Sequence, residues 1–280
     1  MSDTGGKVAV VTGASRGIGK VCAVELARAG FRVAVTARTL APSDERKLPG
    51  NLQATARAVA DAGGDALPLK LDLDDRASVV AGVDAVMEQW GRIDVLVNNA
   101  FYQTRESQYS LVDMSMEHLD KQIRVNLLAP MFLAKLVLPQ MLDRGAGAVI
   151  NVVSGAGVHE LNAPPGKRTW GIGYGTSKIG MIEIAAMLAS QFGDRGIRAF
   201  SVQPGTVLTE QVAAALDDGT MSSDVWTPPE HAAWTIVWLA TAPEAADLNG
   251  ALISAPEFVR EKALIRDPGT STGTRRPGRR

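Results

Sequence analysis

The chain has 280 residues, 46% of them hydrophobic and 21% charged, which is enough to bury one full-sized core. Its 29 basic and 30 acidic side chains leave a net charge of -1 and a pI near 6.3, which argues against nucleic acid or an anionic membrane as the main partner. The single cysteine, Cys22, excludes a disulfide framework and any CxxC site; His118, His159 and His231 have no ligand spacing, so no metal site is expected.

The N-terminal MSDTGGK has neither a charged leader nor a long apolar stretch, so a soluble cytoplasmic protein is expected. Short apolar runs then alternate with helical patterns. KVAVV (7 to 11) predicts a strand, 17 to 29 a helix carrying Cys22 as a small buried residue, FRVAVT (31 to 36) a strand, and 51 to 62 a helix. ALPLKL (66 to 71), helix 75 to 90, IDVLV (93 to 97) and helix 116 to 142 follow, with Pro130 expected to disturb that last helix. GAVINVV (147 to 153), helix 174 to 193, IRAFSV (197 to 202), helix 229 to 241 and ALIS (251 to 254) complete the pattern.

Strands this continuous in apolar character suit a sheet covered on both faces, and strand-helix alternation calls for parallel crossovers. The expected fold class is α/β, a doubly wound parallel sheet in a three-layer sandwich, as one domain over residues 1 to 266. The last stretch, DPGTSTGTRRPGRR (267 to 280), has no apolar anchor and is expected to be a disordered basic tail.

Two patterns carry chemistry. TGASRGIG (12 to 19) lies between the first strand and the first helix, where a dinucleotide fingerprint belongs, although its spacing is TGxxxGxG rather than GxGxxG. Gly13 allows a tight turn, Gly17 lets backbone approach a pyrophosphate, Gly19 lets the helix close on the sheet, and the helix N-terminus offers its N–H groups to phosphate. Further on, Tyr174 and Lys178 in YGTSK share one helix face. An unperturbed phenol, with a pKa of about 10, exchanges protons poorly near neutrality, and a nearby cation lowers that value. Taken alone the pair is also ordinary helix surface; it gains meaning where a cofactor and a hydroxyl converge on it.

TGASRGIG (12 to 19), LDL (71 to 73), NNA (98 to 100), Asn126 in VNLLAP, Ser154 in INVVSG, YGTSK (174 to 178) and QPGTVLT (203 to 209) resemble, in this order, the successive motifs of the short-chain dehydrogenase/reductase family. The resemblance implies a Rossmann-type oxidoreductase that uses NAD(H) or NADP(H), commonly as a homodimer or homotetramer. It implies that Tyr174 is the general acid or base, that Ser154 orients and polarises the substrate carbonyl, and that Lys178 lowers the tyrosine pKa while binding the nicotinamide ribose. Asn126 is similar to the family's asparagine that holds a water in a proton relay. For the cofactor it implies Gly13, Ser15, Arg16, Gly17, Ile18 and Gly19 at the phosphate turn, and Asp72 and Leu73 at the adenine. Asn99 and Ala100 would lie along the cofactor, with Pro204, Gly205, Val207 and Thr209 at the carboxamide end.

The end of the second strand reads Thr36, Ala37, Arg38, with no carboxylate to accept ribose hydroxyls. Arg38 and Arg16 suit a 2'-phosphate through forked, charge-assisted hydrogen bonds, so NADP(H) is favoured over NAD(H). The expected reaction is hydride transfer between NADP(H) and a secondary alcohol or ketone. An NAD(H)-dependent dehydrogenase of the same family and a non-enzymatic dinucleotide sensor are the alternatives, and the retained tyrosine, serine and lysine speak against the sensor.

The chain departs from the family pattern in several places. Phe101 replaces the glycine that usually follows NNA and crowds the floor of the site. The interval from Ser154 to Tyr174 is extended by a Pro- and Gly-rich loop carrying Trp170, and TLAPSDERKLPGNL (39 to 52) is inserted beside the expected phosphate site. Phe101 and Trp170, with no cluster of cations for an acidic substrate, favour a bulky neutral, apolar substrate. Helices 123 to 138 and 179 to 189 are apolar nearly all round, which predicts that they pair with their copies in a homodimer or homotetramer. Trp226, Trp234 and Trp238 form a further apolar group expected in the core or a lid.

Overall fold

The first apolar run becomes β1 (Val8–Thr12) because both of its faces find cover: Ala9 and Val11 enter one hydrophobic cluster, Val8 and Val10 the other. The computed structural model describes residues 6–44, 48–155, 171–210, 212 and 226–265. After β1 come α1 (Gly17–Arg28), β2 (Arg32–Ala37), α2 (Leu52–Asp61), β3 (Asp65–Lys70), α3 (Arg76–Trp90) and β4 (Val95–Asn98). The second half contributes α4 (Met116–Ile123), a π-helical turn (Arg124–Leu128), α5 (Ala129–Arg144) and β5 (Gly147–Val152). It closes with α6 (Ile172–Phe192), β6 (Ile197–Gln203), α7 (Pro229–Thr241), β7 (Leu252–Ser254) and α8 (Ala255–Glu261).

All seven strands pair in parallel, in the order β3-β2-β1-β4-β5-β6-β7. The core divides as a three-layer sandwich requires. Cys22, Leu26, Phe31, Ile236 and Phe258 build the layer of α1, α2, α7 and α8, while Val83, Leu133, Val137, Met141 and Ala185 build that of α3, α5 and α6. Trp238 packs on the first layer, edge-on to Phe258 at 5.1 Å between centroids, as a core residue.

Polar side chains start several helices. Asn51 Oδ1 accepts from Ala54 N at 2.9 Å, Asp75 Oδ1 from Ala77 N at 2.9 Å, and Ser115 Oγ from His118 N at 3.2 Å. The predicted helix 116 to 142 is real but interrupted. Its π-helical turn directly precedes Pro130, which lacks an N–H inside the continuous helical run, so the break in the regular ladder coincides with the proline. The whole run Met116–Arg144 is long and apolar enough to cross a bilayer by length and composition, yet half of its most apolar window is buried within this fold. The expected tail at 267 to 280 lies outside the described residues.

Strand order reverses between β1 and β4, which opens a crevice at their carboxyl ends. Glycines let the surrounding backbone close there. Gly13 has φ +68°, and a Cβ on it would sit 2.8 Å from Ala100 Cα. A Cβ on Gly19 would run into the carbonyl of Gly13 and lie 2.5 Å from Asn99 Nδ2. Backbone is the obstacle at both positions, so neither neighbour can turn aside cheaply. Gly19→Ala is therefore expected to cost about 1–3 kcal/mol, read as a lower midpoint of chemical denaturation; an unchanged midpoint would mean that the turn has slack.

Candidate active site

The crevice is a cleft whose floor is the β1–α1 turn and the end of β4. Thr12 Oγ1 accepts from the N–H groups of Asn99 (3.0 Å) and Ala100 (3.1 Å) and donates to Val97 O. Asn99 Nδ2 donates to Thr12 O at 2.8 Å and Gly13 O at 3.3 Å. Asn99 thus holds the glycine turn in place besides lining the cleft, and Thr12, whose part sequence reading missed, ties the two strand ends together. A hydroxyl directly before the turn glycine was the available signal.

Of the residues expected at the cofactor, Gly13, Ser15, Arg16, Gly17, Ile18, Arg38, Asp72, Leu73, Asn99, Ala100 and Thr209 line this cleft. Gly19 lies behind it as a packing glycine. The segment with Pro204, Gly205 and Val207 runs alongside: Gly205 has φ +79°, and Val207 bridges in parallel to Thr227. Asp74 and Lys121, not foreseen, form a 3.1 Å ion pair at the rim. Arg124 also bonds Asp74, and these two cations hold the carboxyl below the ordinary aspartate range against a burial effect that pushes it up.

The cleft fits an anionic dinucleotide on three counts. Arg16, the N-cap of α1, makes no side-chain cap, and among the described residues no side chain bonds the first N–H groups of that helix, which can therefore face a phosphate. Gly17, with φ +52°, keeps backbone open where a Cβ would lie 3.2 Å from Thr209 Cγ2. Arg16 Nε is buried and has no hydrogen-bond partner among the described residues, while its Nη2 donates to Gly50 O at 3.3 Å. Gly50 belongs to the 39 to 52 insertion, so that loop helps to place the guanidinium; its Arg46 and Lys47 lie outside the described residues.

Beyond the cleft, β5 leads to Ser154, and the first turns of α6 carry Tyr174 and Lys178, both buried. Lys178 Nζ donates to Val152 O at 3.0 Å, and burial pulls its pKa down to about 8. The ammonium lies 5.8 Å from the centre of the Tyr174 ring, on the shared helix face that the spacing predicts. Phe101 joins cleft to pair: it lines the cleft, meets the Tyr174 ring edge-on at 6.3 Å and lies 5.4 Å from Lys178 Nζ. With 41% of its surface exposed, it forms the wall between them.

Asn126 sits in the π-helical turn with 1% exposure. Its Oδ1 accepts from Tyr102 N at 2.6 Å and its Nδ2 donates to Tyr102 O at 3.0 Å, so the amide clamps the loop after β4. Sequence spacing gave no sign of that clamp, because its partners are 24 residues apart. Trp170, expected at an apolar substrate pocket, lies with residues 156–170 outside the described residues.

Comparison with known proteins agrees with this geometry. Residues 7–219 match the short chain dehydrogenase family model. A 3-oxoacyl-[acyl-carrier-protein] reductase of Synechocystis is 32% identical over 87% of this chain and 93% of its own. A 7alpha-hydroxysteroid dehydrogenase of Bacteroides fragilis is 31% identical over 55% of this chain and 60% of its own length. Among solved structures, a candidate short-chain alcohol dehydrogenase of Sinorhizobium meliloti 1021 superposes with a TM-score of 0.76 at 28% identity, covering 90% of this chain and 96% of that one. A parallel sheet that reverses at β1 and β4, a glycine turn with an uncapped helix behind it and these similarities make the chain a member of the short-chain dehydrogenase family, an NAD(P)-dependent oxidoreductase.

Proposed function

We propose that the protein moves a hydride between NADP(H) and a secondary alcohol or ketone with bulky apolar flanks, Tyr174 exchanging the proton at the substrate oxygen. The observation that carries this reading is the buried Tyr174–Lys178 pair, against which Phe101, a residue that lines the cleft, packs. The chemistry that a nicotinamide supplies when bound is hydride transfer. The side chains deal with charge and protons. As charge develops on the substrate oxygen, the Ser154 hydroxyl donates to it and Tyr174 delivers or removes the proton. Lys178, with its pKa near 8, still carries its charge at neutrality and favours the phenolate. Tyr102 takes one acceptor site and one N–H of the Asn126 amide, so a relay water at this position would have the second N–H or lone pair of that amide to bond.

Removing the phenol oxygen separates chemistry from binding. Tyr174→Phe is expected to lower kcat by about a hundredfold or more while NADP(H) titrates as in the wild type; wild-type turnover would refute the assigned acid.

The preference for NADP(H) rests on charge. Thr36, Ala37 and Arg38 end β2 without a carboxylate, Arg38 is exposed at the cleft, and the orphaned Nε of Arg16 is nearby along the same wall. Arg38→Asp is expected to shift the ratio of kcat/KM values toward NAD(H) by about tenfold; an unchanged ratio would count against this site.

The apolar substrate follows from the half-exposed Phe101 in the place of a glycine, and the two relatives are named for a steroid and for a 3-oxoacyl group, both with apolar carbon skeletons. Self-association follows from the outer face of the π-helical turn, α5 and α6. Leu128, Met131, Ile172, Ile179 and Met187 are each 42–53% exposed there, beside a groove lined by Leu119 and Ile123. A homodimer, doubled or not to a tetramer and working in the cytoplasm, covers that face. Its expected signature is a dimeric or larger mass by light scattering at micromolar concentration, and a monomeric mass would overturn it.

A further inference from the structure

His118, a residue without a role in the reaction above, is buried on α4 at the centre of a polar network. Ser107 Oγ accepts from Thr104 N at 3.0 Å and from Gln122 Nε2 at 2.9 Å, which fills both of its lone pairs. With Gln122 oriented this way the Ser107 proton faces His118 Nε2, 3.0 Å away, while the buried Gln122 Oε1 has no hydrogen-bond partner among the described residues. The other ring nitrogen, Nδ1, faces two hydroxyls, Tyr102 Oη and Thr104 Oγ1, each at 3.5 Å, and the carboxylate of Glu106, whose Oε2 is 3.7 Å away. Glu106 Oε1 in turn accepts from Ser115 N at 2.7 Å, at the start of α4.

The order serine, histidine, carboxylate matches that of a hydrolytic triad. Ser107, however, is 1% exposed and its oxygen is saturated with donors, so it has neither access nor a lone pair with which to attack. What the network touches points elsewhere. Tyr102, whose side chain packs on the imidazole at 5.2 Å, is the residue whose peptide clamps Asn126. On the other side, Gly171 and Gly173 at the start of α6 lie so close to the Ser107 carbonyl and the Gln122 amide oxygen that neither has room for a Cβ. Tyr174 is the next residue.

We propose that the His118–Ser107–Gln122 network is a positioning brace for the reaction, holding the loop after β4 and the first turn of α6 at the spacing that sets Asn126 and Tyr174 against each other. It rests on the reading of Tyr174 as the proton carrier. A brace of this kind acts through placement alone. In this arrangement His118 Nε2 is the acceptor that the Ser107 proton faces, and a ring without nitrogen would leave that proton buried without one, although the oxygen keeps its two donors.

The test is steady-state kinetics of the full chain carrying His118→Phe, Ser107→Ala or His118→Gln, with Tyr174→Phe as reference. His118→Phe and Ser107→Ala are expected to lose about tenfold to a hundredfold in kcat while the KM for NADP(H) stays within about twofold. His118→Gln, whose amide oxygen can take the Ser107 proton, is expected to recover most of the loss. If His118→Phe does not fold, Ser107→Ala, which leaves a much smaller void, decides in its place. Folded His118→Phe or Ser107→Ala protein with wild-type kcat overturns the brace, as does a His118→Gln no better than His118→Phe. An active Tyr174→Phe overturns the site reading and the brace together, whereas an inactive one beside unimpaired brace variants overturns the brace alone.

Discussion

The close seating of the end of β4 on the glycine turn of β1 is the constraint from which the rest of this molecule follows. Thr12 and Asn99 make the contact with hydrogen bonds between the two segments, and Gly13 and Gly19 make it possible by having no Cβ. With the strands locked at that distance, α1 begins at the crevice without a side-chain cap from Arg16, and an anion entering there meets N–H groups that are already oriented. Orientation costs nothing at the moment of binding because the fold has already fixed it. The same lock places the residue after Ala100 at the junction of cleft and α6, which is why a phenylalanine at that position touches Tyr174 and Lys178 as well as lining the cleft.

Much of this was legible in the sequence, and the parts that were share a physical reason. All seven strands fall within about two residues of the apolar runs that predict them, because a strand covered on both faces has no polar position at which the pattern can blur. The glycine turn was legible because its sterics are local. Sequence reading did less well where a partner comes from far along the chain. Helix α8 was missed, being short, with Pro256 in its first turn and only Phe258 and Val259 as buried apolar anchors beside Ala255. The π-helical turn was foreseen only as a disturbance at Pro130; the bonds from its Asn126 to Tyr102 join residues 24 apart, which no local propensity encodes. The His118 network escaped for the same reason. Three scattered histidines without metal spacing look inert until the fold brings Ser107 and Gln122 to one of them.

The two halves of the site differ in how their geometry is held. On the dinucleotide side the ties are mostly backbone to backbone or to short side chains within the sheet, the most rigid element available. On the substrate side the loop after β4 lies outside the sheet and cannot borrow that rigidity, so its position depends on side chains. A buried amide clamps Tyr102, and a buried imidazole and hydroxyl secure Ser107. Buried polar groups are costly unless every partner is present, and the compensation is that they admit fewer arrangements than apolar packing does.

Lys178 brings the two halves to a single charge. Its ammonium is desolvated, bonded to the carbonyl of Val152 at the end of β5, and covered on one side by the Phe101 ring. Opening that side to water would relieve the desolvation and raise the lysine pKa, but it would also screen the field that reaches the Tyr174 phenol. The ring therefore carries two opposed effects: it weakens the hold of the lysine on its proton and strengthens the influence of the charge on its neighbour. A pKa near 8 leaves the balance on the useful side at neutrality, since most of the lysine is still charged and acts through a medium with little water to screen it. A glycine at position 101 would leave that medium to be completed by the substrate or the cofactor, whereas in this chain the protein supplies part of it in advance.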